Sequence, residues 1–159
     1  MGSRDLPAAL ALNNASLPEL NELDQVELTR LLALACEALV VDVDGAFAGF
    51  CIVFPPLVEY ASLNYRWFSG QYADFAYLDR IAVTPPARRL GVGRALYSTL
   101  IDRLRGRFPI LCCEVNVRPR NEASLRFHQR IGFTEVGQQD TDGGSKTVSL
   151  LTMDLGLTH

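Results

Sequence analysis

The sequence predicts an α/β fold of the α+β kind, with a central sheet covered by helices on both faces. Three observations carry this. Apolar residues recur at helical spacing in some stretches and alternate, as strands require, in others. These stretches come as two helices, a meander of strands, strand–helix–strand–helix, and a closing hairpin. The chain has 159 residues, 48% hydrophobic and 21% charged, which suits a single domain over residues 1–159. Such a domain buries its own core without a disulfide or metal staple.

Residues 6–14 form a short helix. Asp24 and Glu27 make the Asp-x-x-Glu start of a second helix, whose buried stripe is Val26, Leu28, Leu31, Leu32 and Ala35. Residues 39–43 and 47–54 are β-branched or aromatic runs separated by Asp44-Gly45, a hairpin signal. Residues 55–72 hold two prolines, one glycine and five aromatic residues, and they predict a long irregular stretch of the kind that carries function. Residues 75–83 read as a strand stopped by Thr84-Pro85-Pro86. A helix follows from about Val92 to Arg105, with Leu96, Leu100 and Leu104 stacked at i, i+4. Residues 110–117 are another strand. Asn121 caps a helix that ends near Arg130, and Gly132 suits the position after its end. Residues 133–139 and 147–153 close the chain as strands around Asp142-Gly143-Gly144.

The formal net charge is −3 and the pI is near 5.3, so no global basic field invites nucleic acid or an anionic membrane. No stretch approaches the roughly 20 uninterrupted apolar residues of a membrane span, and the N-terminus lacks the apolar core of a signal peptide. Cys36, Cys51, Cys112 and Cys113 show no Cys-x-x-Cys spacing, and the last two should point to opposite faces of one strand. His128 and His159 are too few and too scattered for a zinc site. The expectation is a reduced, cytoplasmic protein with no metal, no nucleic-acid partner and no membrane association. A homodimer is possible, because dimers are the commonest soluble assembly.

The chemistry concentrates where the strand ending at Val83 turns into the next helix. Gly91-x-Gly93 opens that helix, and glycines let a ligand approach the backbone with no Cβ in the way. Free amides and the positive dipole end of the helix make an anion site. Arg88, Arg89 and Arg94 gather positive charge there within an acidic protein. A diphosphate fits this place. The Walker A pattern is absent, and Leu96 stands where a dinucleotide fingerprint needs a third Gly or Ala. Gly-x-Gly alone also reads as a tight strand–helix turn.

A resemblance narrows these readings. Arg88-x-x-Gly91-x-Gly93, preceded by Ile81-Ala82-Val83-x-Pro85, resembles the acyl-CoA pyrophosphate loop of the GNAT superfamily of N-acetyltransferases. Asn121-x-Ala123-Ser124-x-x-Phe127-His128-x-x-Ile131-Gly132-Phe133 is similar to that family's second signature, Asn-x-x-Ala-x-x-(Leu/Phe)-Tyr-x-x-x-Gly-Phe. Together they cover residues 75–136. The resemblance implies a mixed, mostly antiparallel sheet, with a splay between the two central strands that holds the acyl-CoA donor. It also implies that the backbone at Ile81, Ala82 and Val83 pairs with pantetheine. The stretch Arg89, Leu90, Gly91, Val92, Gly93 and Arg94 would hold the pyrophosphate with Arg88. Asn121, with Ser124 and Phe127 nearby, would contact the pantetheine arm. The implied reaction moves an acetyl group from acetyl-CoA to a primary amine by direct attack in a ternary complex, leaving coenzyme A. The acceptor is a small molecule or a peptide amine.

Direct attack requires the amine to lose a proton and the departing thiolate to gain one or be otherwise stabilised. Four residues are candidates for that work. His128 occupies the slot that commonly holds the family's tyrosine acid, and it reads equally as a packing residue in line with Leu125 and Ile131. Tyr77 stands six residues before Val83, where some members carry a glutamate base. Glu114, in Cys113-Glu114-Val115, resembles the glutamate that others use, or it is a strand residue paired with Arg118 or Arg120. Asp79 is a third choice for the base. Acceptor contacts are expected from Tyr65, Trp67, Phe68 and Tyr72 in the long loop and from Asn13 and Asn14 at the end of the first helix. Trp67, Phe68 and Tyr72 equally suit a core seal or a dimer contact. The substituted tyrosine and glutamate positions keep a second class open, an acyl-CoA-binding sensor with little turnover.

Overall fold

The structure, a computed structural model, describes residues 1–156. Six strands lie in one sheet: β1 (Glu37–Val43), β2 (Ala46–Phe54), β3 (Ala76–Val83), β4 (Ile110–Arg118), β5 (Thr134–Thr141) and β6 (Lys146–Asp154). Their order across the sheet is β1-β2-β3-β4-β6-β5. The β1–β2, β4–β6 and β5–β6 ladders are antiparallel and β3–β4 is parallel, so the sheet is mixed and mostly antiparallel. The parallel ladder comprises the pairs Ala76–Leu111 and Tyr77–Cys112, the short contact expected of strands that splay. Five α-helices accompany the sheet: α1 (Leu6–Asn14), α2 (Gln25–Leu34), α3 (Leu63–Gln71), α4 (Val92–Leu104) and α5 (Glu122–Ile131). The chain folds into two compact units. Met1–Pro55 with Leu78–Arg103 form the first, and Pro56–Tyr77 with the described residues from Leu104 to Gly156 form the second.

In the first unit, β1 and β2 meet through Asp44-Gly45, both at positive φ (52° and 80°), the conformation that a two-residue hairpin of matching twist demands. The Asp24 side chain accepts from the Glu27 amide at 2.8 Å and starts α2 as expected. Leu28 and Leu31 are buried, but Val26 is 80% exposed and leaves the expected stripe. Its neighbours at i+3 and i+4, Thr29 and Arg30, are exposed too, so position 26 lies on the solvent side of the helix. Gly49 permits a close approach between strands. A Cβ there would fall 2.8 Å from the Ala82 carbonyl oxygen. A backbone atom cannot swing aside, so Gly49→Ala is expected to cost about 1–3 kcal/mol, read as a lower urea midpoint with an unchanged m-value.

In the second unit, the stretch expected to be irregular contains α3. Ser62 caps it, its hydroxyl accepting from the Tyr65 amide at 3.3 Å, and Tyr65 and Phe68 face inward at i, i+3 spacing. Three aromatic residues of middling helix propensity and Gly70 hide this helix from a propensity reading, and burial of two rings stabilises it instead. Asn121 caps α5 as expected, accepting from the Ser124 amide at 3.2 Å. Gly132, at φ 114°, closes the helix with the Phe133 amide on the His128 carbonyl at 3.0 Å. Cys112 and Cys113 are both buried although successive strand side chains alternate, so both faces of β4 are covered. All four cysteines are free thiols, and burial pushes the Cys51 thiol up to about 12.

Candidate active site

The first unit carries the loop expected to take an anion. After β3, Pro85–Leu90 form a 3-10 turn and Gly91 follows at φ 75°, a left-handed position that glycine takes without strain. The backbone reverses there into α4, whose first helical bond is Ala95 N–H to the Gly91 carbonyl at 3.0 Å. The amides of Val92, Gly93 and Arg94 precede that bond and have no carbonyl one turn back within the helix. A Cβ built on Gly91 meets nothing within 4 Å, so the space in front of the turn is open. Arg89 and Arg94 are exposed. Arg88 is exposed as well, and its Nε donates to the Val83 carbonyl at 3.2 Å, tying the loop to the end of β3. Positive charge, open space and helix-terminal amides suit an anionic diphosphate. Ile81 and Val83 are half-buried and Ala82 is buried.

In the same unit, Asn13 and Asn14 belong to a hydrogen-bond network at the end of α1. Asn13 is fully buried, and its Oδ1 accepts from Arg80 Nη1 at 2.8 Å. Its Nδ2 donates to the Asn21 carbonyl at 2.8 Å and to Asn14 Oδ1 at 3.0 Å. Asn14 holds both backbone groups of Leu23, accepting from its N–H and donating to its carbonyl at 2.9 Å each. The two amides therefore fasten residues 15–24 to α1. Asp79, the third choice for a base, bonds Arg80 Nε at 2.7 Å, and the two side chains are only 4% and 5% exposed.

The second unit brings Tyr77 and Glu114 together. The Tyr77 hydroxyl donates to the Glu114 carboxylate, 2.8 and 2.7 Å from its two oxygens. Tyr77 is fully buried. Its ring is flanked by Tyr65 at 5.4 Å, edge-on, and by Phe68 at 5.8 Å. Glu114 is half-buried. The expected alternative partners of Glu114 are occupied elsewhere: Arg118 donates to the Gly144 carbonyl and faces Asp140 at 3.8 Å, and Arg120 bonds Glu122. The Cys112 thiol is pushed up by burial and then by the charge of Glu114 beside it. Tyr72, half-buried at the end of α3, is raised by burial and then by Cys112.

His128 is buried on α5. Its Nδ1 lies 2.7 Å from the Ser124 carbonyl and 3.3 Å from the Ser124 hydroxyl. A carbonyl only accepts, so Nδ1 carries the hydrogen. Phe127 and Phe133 contact the ring at 5.5 and 5.4 Å. Burial lowers the pKa below the ordinary value, partly offset by the bond to Ser124. A depressed histidine stabilises the folded chain above its unfolded pKa of about 6.5, and that contribution is lost as pH falls through the folded pKa. Wild type is therefore expected to lose melting temperature relative to His128→Phe between pH 7.5 and 5.5. A constant difference would show that His128 does not titrate in that window.

Of the expected acceptor residues, Tyr65 and Phe68 belong to the core of the second unit, and Trp67 lies on Gly137. Spacing and propensity signalled neither Gly137 nor Arg80 as important. Among the described residues no group of three His, Cys, Asp or Glu is placed to hold a metal ion, and no helix is long and apolar enough to cross a membrane. His159 lies outside the described residues.

The model of the acetyltransferase (GNAT) family matches residues 8–133. The chain belongs to that family. Two curated GNAT relatives come from Escherichia coli. A peptidyl-lysine N-acetyltransferase, YjaB, is 29% identical over 91 residues, 57% of this chain and 54% of the relative. The ribosomal protein bS18-alanine N-acetyltransferase is 40% identical over 63 residues, 40% of this chain and 42% of the relative. The chain thus spans about half the length of the curated relatives it matches. Among solved structures, yncA from Salmonella typhimurium, described with its cofactor acetyl-CoA, has a TM-score of 0.73 at 19% identity, covering 100% of this chain and 93% of the other. That likeness concerns the fold.

Proposed function

We propose that this GNAT chain transfers an acetyl group from acetyl-CoA to a primary amine. The observation that carries the reading is the left-handed turn at Gly91 opening α4, with open space before it and Arg88, Arg89 and Arg94 around it. In the first unit, the amides of residues 89–94 and the exposed arginines hold the diphosphate, and Ile81–Val83 supply backbone groups to the pantetheine arm. In the second unit, Asn121, Ser124 and Phe127 are the remaining donor contacts, and Glu114, hydrogen-bonded by Tyr77, receives or relays the amine proton. Acetyl-CoA supplies the thioester. The amine nitrogen forms a bond to its carbonyl carbon, the carbon–sulfur bond breaks, and one proton leaves nitrogen while the sulfur requires one. His128, neutral and hydrogen-bonded through Nδ1, is a packing residue in this scheme. The relatives named for peptidyl lysine and for a ribosomal-protein alanine support an amine acceptor on a protein.

Titration calorimetry with acetyl-CoA tests the donor site. One-site binding is expected in wild type and a loss of at least about 100-fold in Gly91→Trp, whose ring fills the space the diphosphate needs. No binding by folded wild type overturns the donor site. Coenzyme A release is then followed with three acceptors: a peptide beginning with alanine, an N-blocked peptide containing lysine, and a small primary amine. Binding without release on any of them leaves the sensor reading in place of the enzyme.

A further inference from the structure

Residue 137 has to be glycine for the Trp67 indole to lie where it does. A Cβ at 137 would come within 2.9 Å of Cζ2 and 3.3 Å of Cη2 of that ring. The contact falls where β5 slips register against β6, between Glu135 and Gly137. A second tie joins the same helix to the same strand, with Gln139 Nε2 donating to Asn64 Oδ1 at 3.0 Å. Gly137 stands opposite Leu150, and Leu150 opposite Glu114, so these positions form one cross-strand row on one face. Seated on Gly137, α3 presents Tyr65 and Phe68 to the Tyr77 ring, and Tyr77 presents its hydroxyl to Glu114.

We infer that Gly137, acting through Trp67 and α3, is a positioning residue that holds the Tyr77 hydroxyl on the Glu114 carboxylate. The inference rests on the reading of Glu114 as the proton relay. Its physical basis is packing: Tyr65 and Phe68, both carried by α3, lie against the Tyr77 ring. A Cβ at 137 displaces the indole, tilts α3, and takes the hydroxyl off the carboxylate.

Trp67 is the chain's single tryptophan, so its fluorescence reports the seat directly. Gly137→Ala is expected to shift that emission and to lower kcat about 10-fold on the best of the three acceptors, with the KM for acetyl-CoA within about two-fold of wild type. In a Trp67→Phe background the same change adds less than about two-fold, because the outer ring carbons it displaces are gone. In a Tyr77→Phe background its effect on kcat also disappears, since there is no hydroxyl left to misplace. If Gly137→Ala does not fold, Trp67→Phe with and without Tyr77→Phe carries the same comparison. A kcat loss undiminished in the Tyr77→Phe background overturns the route through Tyr77. Unchanged emission and unchanged kcat in folded Gly137→Ala overturn the inference entirely. If Glu114→Gln leaves kcat unchanged, the relay reading fails and takes this inference with it, and a persisting emission shift distinguishes the two failures.

Discussion

Glu114→Gln is expected to lower kcat by about 100- to 1000-fold while leaving acetyl-CoA affinity within about two-fold of wild type. Glutamine keeps the shape of the side chain and loses the ability to take a proton. The substitution therefore removes an interaction needed in the transition state and spares ground-state donor binding. Tyr77→Phe keeps the ring between Tyr65 and Phe68 and removes the hydroxyl, so a smaller loss of about 10-fold is expected, the worth of one hydrogen bond to a charged group. The two losses are not additive, because the hydroxyl acts on the carboxylate. A Glu114→Gln chain that turns over within two-fold of wild type at every pH would remove Glu114 from the proton path.

The second large effect concerns stability. Arg80→Met leaves the Asp79 carboxylate, 4% exposed, without its guanidinium and leaves buried Asn13 without the donor to its Oδ1. Breaking one side of a buried ion pair costs about 3–5 kcal/mol, which for a domain of this size lowers Tm by about 10 °C. Asp79→Asn combined with Arg80→Met removes both charges and is expected to restore more than half of the loss. A single variant that melts within 2 °C of wild type would show that the pair stabilises nothing. Residues 15–24 are fastened through Asn13 and Asn14, so faster amide exchange there should accompany the loss.

The turn between β3 and α4 was legible because its signals are local. A proline stop, a turn glycine and clustered arginines each act within a few residues of chain. The caps of α2 and α5 were legible for the same reason, since Asp24 and Asn121 bond an amide three residues on. Helix α3 was not, because its stabilisation comes from burying Tyr65 and Phe68 against Phe75 and Tyr77 where the next strand begins, a contact between elements and not within the helix. Its own propensity is modest. The stripe of α2 was misjudged at one place, where Val26 is apolar in type and faces solvent by position.

The site divides along the same line. Tyr77, Glu114 and His128 could each be nominated from a motif position, but what each does depends on its partner. Tyr77 and Glu114 are 37 residues apart, and Arg80 and Asn13 are 67 apart. No spacing rule foretells such pairs. The sequence by itself determined the kinds and order of the elements other than α3, the hairpin and turn glycines, the caps of α2 and α5, and the arginine-rich turn after β3. These follow from backbone dihedrals and from hydrogen bonds between near neighbours. Only the tertiary structure decided that Asn13 and Asn14 fasten a loop, that Asp79 is held by Arg80, and that Glu114 takes the Tyr77 hydroxyl. Strand register and packing choose a polar group's partner, and both emerge only when distant segments meet.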